Sequence, residues 1–151
     1  MGRLNARIYF IFLIFAFAVP AYAAQDVIIS DAWISSGSAD PGTDFTITYT
    51  VKNQGSTAIS SSFRNQMAVD ASPVGIKCTR NSLAAGATSN CQGPTLNLAA
   101  GLHAISITAD VDAQVSESNE GNNVYSYQLQ VGSAANYDLI VTSITPLSTP
   151  V

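Results

Sequence analysis

Hydrophobic and polar residues alternate with period two along three stretches of the chain. Over residues 45–51, Phe45, Ile47, Tyr49 and Val51 share one face while Thr46, Thr48 and Thr50 share the other, as in a strand with one buried and one wet face. Residues 102–109 repeat the pattern with Ile105, Ile107 and Ala109, and residues 124–131 with Tyr125, Tyr127, Leu129 and Val131. Weaker alternation predicts strands over 27–34, 63–69, 75–81 and 88–98. Turn residues fall between them at Asp40-Pro41-Gly42, Asn53-Gln54-Gly55, Ser72-Pro73, Ala85-Gly86 and Ala100-Gly101; proline fixes φ there and glycine permits positive φ. Seven short strands in about 105 residues predict an all-β fold, a seven-stranded immunoglobulin-like antiparallel β-sandwich. The Cys, Trp, Cys spacing of antibody domains is missing, so only the architecture carries over.

The two ends of the chain depart from this pattern. Arg3 and Arg7 lead an unbroken apolar run over 8–19, followed by Pro20 and the small-residue site Ala21-Tyr22-Ala23, the layout of a secretory signal peptide. Near the other end, Asp138-Leu139-Ile140-Val141-Thr142 repeats Asp26-Val27-Ile28-Ile29-Ser30 at an interval of 112 residues. A period of that size is one sandwich domain plus a linker. The expected organisation is a signal peptide over 1–23, a sandwich domain over 24–132, a linker over 133–137, and the opening strand of a truncated second copy over 138–151.

Composition agrees with β-structure: residues 24–151 are rich in Ser, Thr, Ala, Asn, Val and Ile and poor in Leu, Glu and Lys, which disfavours long helices. They keep four basic and ten acidic side chains, a net charge of −6. Nucleic acid and anionic membrane surfaces both call for basic patches, so neither is an expected partner. No other apolar run approaches the roughly 20 residues of a membrane span, so the mature chain is expected to be secreted, to the periplasm, the cell surface or the medium.

Three motifs together resemble the CARDB domain, the cell-adhesion-related domain of bacteria. They are residues 46–51 running into Lys52-Asn53-Gln54-Gly55, the turn Leu83-Ala84-Ala85-Gly86, and the run 110–123, which reads D-x(4)-V-x-E-x-x-E-x-N-N. The resemblance spans about residues 26–131, and the last motif is the most specific. It implies a small secreted β-sandwich, found singly or in tandem in bacterial surface and exported proteins, and an adhesion or assembly role rather than catalysis. The two cysteines depart from the pattern, since many members lack them.

Candidate chemistry is sparse. Cys78 and Cys91 lie symmetrically about the turn at 83–86, so a hairpin paired in register sets them face to face; in a secreted protein a disulfide is expected. A metal or redox pair is the alternative, but no C-x-x-C spacing accompanies it. Asp110, Asp112, Glu117, Asn119, Glu120, Asn122 and Asn123 offer hard oxygen donors that suit Ca²⁺. The spacing is not that of an EF-hand, and the competing reading is that they cap turns by accepting backbone N–H groups. His103, the only histidine, has no nucleophile elbow or comparable signature beside it, so no catalytic residue is expected. Trp33 aligns with Thr145 in the repeat: it either packs in the core or faces outward, where an indole suits a sugar or a protein partner. The expected function is an exported, non-catalytic module for adhesion, spacing or presentation at the cell envelope, meeting protein or carbohydrate at the surface. The rival reading is an accessory domain of a larger exported hydrolase.

Overall fold

The computed structural model describes residues 24–132. The expected signal peptide (1–23), linker (133–137) and repeated strand (138–151) lie outside the described residues. All seven expected strands form: β1 (Val27–Ser36), β2 (Asp44–Asn53), β3 (Phe63–Val69), β4 (Ser72–Arg80), β5 (Thr88–Asn97), β6 (Gly101–Thr108) and β7 (Val124–Val131). They build two antiparallel sheets, one ordered β1-β2-β5 and the other β4-β3-β6-β7. The core lies between them: Val27, Ile29, Phe45, Ile47, Tyr49 and Val51 from the first sheet meet Phe63, Met67, Val69, Ile105 and Ile107 from the second. Each comes from the apolar parity of its strand, so period-two alternation assigns these inner-face positions.

Three features differ from the sequence reading. The first is the linkage of β4 to β5. The turn at 83–86 does not close a hairpin, because β4 pairs with β3 and β5 with β2, and the chain crosses there from one sheet to the other. The second is the turn between β3 and β4. Ser72 and Pro73 lie inside β4, and the reversal is made by Asp70 and Ala71, with φ of 49° and 63° between the paired Val69 and Ser72. Positive φ at both central residues defines a type I′ hairpin, which Asp tolerates and Ala does not advertise. Pro73 is harmless one residue later because β4 is an edge strand.

The third concerns Trp33. Strict alternation from Val27 and Ile29 would turn Asp31 and Trp33 inward. A bulge between Ile29 and Asp31 in the β1–β2 register reverses the parity, so Ala32 and Ile34 face the core while Trp33 pairs outward with Thr48. Trp33 is 38% exposed, and core packing is corrected to a surface position.

Candidate functional site

Several residues of the three motifs hold loops together at the end of the sandwich where β1 begins. Asn53, fully buried at the end of β2, shares its two Nδ2 hydrogens among the carbonyls of Thr57 (2.8 Å), Leu83 (3.1 Å) and Ala84 (3.2 Å) and accepts the Gly55 N–H at Oδ1. It therefore ties the loop after β2 to the crossover before β5. Gly55 is required by space: a Cβ there would lie 2.3 Å from the Ala24 carbonyl oxygen and 2.7 Å from the Asp26 nitrogen. Leu83 is buried and exchanges backbone hydrogen bonds with Ile59, and Gly86, at φ 71°, donates its N–H to the Asn53 carbonyl.

The acidic run does the same kind of work. Asp110, 4% exposed, accepts the N–H groups of Gln114 and Val115 at 3.0 and 2.7 Å. Those bonds fold the loop so that Val115 enters the core. Glu117 accepts the Val27 N–H at 2.6 Å and an Asn123 Nδ2 hydrogen at 3.1 Å. Glu120 accepts the Glu117 N–H, and Asn119 the Gly121 N–H. Asn122 donates to Asp26 Oδ1 at 3.0 Å, while Gln54 and Ser118 donate to Asp26 Oδ2. Asp26 was missed as a site residue, although its recurrence at position 138 marks it in the sequence. Together these bonds clasp the start of β1 to the loop between β6 and β7.

The structure thus separates the seven oxygen donors considered for Ca²⁺. Asp112 stands apart from the clasp, ion-paired with Lys77 and, at 2.7 Å, with Arg64, and the Lys77 ammonium together with Arg64 holds its carboxyl below the ordinary range. Among the described residues no three His, Cys, Asp or Glu side chains group around one point. The Oδ1 atoms of Asn122 and Asn123 are buried and meet no donor from the described residues.

Burial pushes the Glu117 carboxyl up to about 7, with Glu120 and Asp110 adding to the rise against the Val27 and Asn123 donors. Its pKa is then higher folded than unfolded, so between about pH 4.5 and 7 the folded state holds more protons and stability falls as pH rises. Denaturant midpoints should drop between pH 5 and pH 8 by the equivalent of about 1–2 kcal/mol after solvent screening, and Glu117→Gln should flatten that share of the slope.

Cys78 and Cys91 form a disulfide with Cα atoms 6.2 Å apart. The pairing matches the sequence reading and its route does not: the bond joins β4 at the edge of one sheet to β5 at the edge of the other. Buried Asn65 lies beside it, donating to the Cys78 carbonyl at 3.4 Å and accepting the Asp110 N–H.

At the opposite end, His103 braces the Asp70-Ala71 hairpin. Its Nδ1 lies 2.7 Å from Asp70 Oδ2 and its Nε2 3.0 Å from the Ala99 carbonyl, while Asp70 Oδ1 accepts the Ala104 N–H. Two acceptors on one ring favour the imidazolium: the Asp70 bond, then the Ala99 bond, raises the His103 pKa, and the His103 bond lowers that of Asp70. The pair stabilises the fold above the unfolded Asp70 pKa, near 4, and below that of His103, near 6.5, and the His103 share is lost as pH climbs through its raised folded value. NMR titration of this single histidine should give a midpoint above 6.5, and Asp70→Asn should return it toward 6.5.

A family model described as CARDB matches residues 24–127. The crystal structure of the CARDB domain of a Pyrococcus furiosus protein in complex with di-metal ions is 19% identical, with a TM-score of 0.62 over 74% of this chain and 96% of that one. A solution structure of that domain gives 18% identity and a TM-score of 0.59 over 72% and 95%. A domain from Methanosarcina acetivorans, described as part of a cell surface protein, is 25% identical with a TM-score of 0.58 over 76% and 96%. No curated protein matches the chain.

Proposed function

Since the chain belongs to the CARDB family, we propose that it is an exported, non-catalytic spacing and presentation module of the cell envelope. The carrying observation is the path of the chain. It enters at one end of the sandwich, where Ala24 is held by the Ser56 N–H and Gln25 bridges to Glu117. It leaves at the other, where the Gly132 N–H bonds the Ala39 carbonyl in the loop between β1 and β2. With strands of up to ten residues the two points are about 30 Å apart. A module threaded this way adds its full length to whatever it connects, and the clasp fixes its orientation on the preceding segment.

A further observation supports the reading: motif residues such as Asn53, Asp110 and Glu117 are engaged in holding loops. No helix among the described residues is long and apolar enough to cross a membrane. The test is cell fractionation with an antibody to the domain. The protein should be found outside the cytoplasm with its N-terminus at Ala24; cytoplasmic protein still carrying Met1 would overturn the proposal.

A resident ion is not part of this reading. Asp110, Glu117, Glu120 and Asn119 already accept N–H groups and Asp112 is paired with cations. Melting curves with millimolar Ca²⁺ and with chelator should superimpose. A calcium-dependent rise of several degrees would assign the Oδ1 atoms of Asn122 and Asn123 to ligation beside Asp26 and Glu117.

A further inference from the structure

We propose that the outer face of the β1-β2-β5 sheet binds a neutral polysaccharide chain across Trp33. The cross-strand register sets Trp33, Thr48 and Gln92 in one row, an indole, a hydroxyl and a carboxamide on a strip about 10 Å wide. Inward neighbours Ile47, Tyr49 and Cys91 are buried, so the row stands on a rigid base. The chemistry divides along it. The 38% exposed indole offers an apolar plane for the C–H face of a sugar ring. The Gln92 carboxamide makes no hydrogen bond to the described residues and is free to pair with sugar hydroxyls. Thr48 donates to Ser35 Oγ at 2.7 Å, and Ser35 lies 3.2 Å from Thr46 Oγ1, so the hydroxyls beside the indole are already ordered.

Charge selects the occupant. The Trp33 row is uncharged, and the charges around it are single and of mixed sign: Asp31, Lys52 and the Arg80 guanidinium on the Asn90 carbonyl towards the start of β1, and Asp44 towards its end. A charged peptide or polyanion finds no counter-charge pattern here, whereas a neutral glycan needs none. The absence of a pocket among the described residues favours an extended chain over a free monosaccharide, because a flat strip gains contact only from successive rings. The inference rests on the export reading for its biological setting, since polysaccharide is met outside the cell, but binding by purified protein tests it independently of localisation.

The chain has one tryptophan, so indole emission reads this face alone. Purified protein is titrated with soluble xylan, laminarin and hydroxyethyl cellulose, with alginate and a mixed peptide pool as charged and protein-like controls. The expected result is a blue-shifted, acrylamide-protected emission with at least one neutral glycan. In a glycan-depletion assay, Trp33→Ala should weaken binding about tenfold and Gln92→Ala several-fold, both variants remaining folded by circular dichroism. No shift with any neutral glycan, a shift with alginate or peptide alone, or Trp33→Ala binding as well as the native chain would each overturn it. Because fractionation is a separate measurement, an exported protein that binds no glycan disproves this inference and leaves the spacer role standing.

Discussion

Replacing Asn53 with alanine is expected to destabilise the domain by about 2 kcal/mol, because the Thr57 carbonyl and the Gly55 N–H lose their partner while the Leu83 and Ala84 carbonyls fall back on the Ile59 and Ala87 N–H groups alone. The carbonyls of Thr57, Leu83 and Ala84 all take their side-chain hydrogen bonds from one Nδ2, and the Gly55 N–H donates to its Oδ1. Asn53 has no exposed surface, so water cannot substitute without opening the end of the sandwich. Asn53→Asp supplies the contrast: it keeps the acceptor for Gly55 but loses the donor and aims a buried charge at carbonyl oxygens. It should do at least as badly at neutral pH and recover partly in acid. Urea unfolding of both variants measures this. A loss below about 1 kcal/mol for Asn53→Ala would show that the loops after β2 and before β5 are held by other contacts.

Reduction of the disulfide should lower stability by about 3 kcal/mol in the chain-entropy model for a loop of this length. For a domain of about 100 residues that is a fall in Tm of roughly 10–20 °C. The core between the sheets is independent of the bond, so Cys78→Ala/Cys91→Ala should remain folded, with unchanged β-structure by circular dichroism. The effect has a place as well as a size. With no covalent tie, β4 and β5 are edge strands of different sheets, and amide exchange should quicken first in β4, whose pairing with β3 is shorter and more interrupted than that of β5 with β2. Native protein with two titratable thiols would contradict the bond outright; among the described residues no free cysteine exists.

The strands were legible because half-buried strands write their exposure into the sequence with period two, and residues 45–51 and 125–131 do so without interruption. What escaped is what that period cannot encode. The bulge after Ile29 inverts the facing of Trp33, and a one-residue slip leaves no local trace in composition. The Asp70-Ala71 turn lacks the glycine that marks such turns; its positive φ values persist because His103 and the Ala104 N–H hold the Asp70 side chain. The cysteine pairing followed from compartment and spacing, yet its path between sheets needed the topology. In the acidic run, residue types alone fit both a cation site and a set of caps. Only the positions of the Val27, Gln114 and Val115 N–H groups show what the carboxylates accept.

The threading of the chain from one end to the other has a mechanical meaning. Tension applied through Ala24 and Gly132 runs along the strands, so the hydrogen bonds joining β1 to β2 and β6 to β7 are loaded in shear, many at once, rather than unzipped in turn. The bond between Cys78 and Cys91 lies off that line and closes a segment of 13 residues across 6.2 Å, so a stretched module keeps that segment slack, withholding about 40 Å of extension. In an oxidising environment the domain is thus a tether with a shortened reach, and a reducing one would lengthen it without cutting the chain.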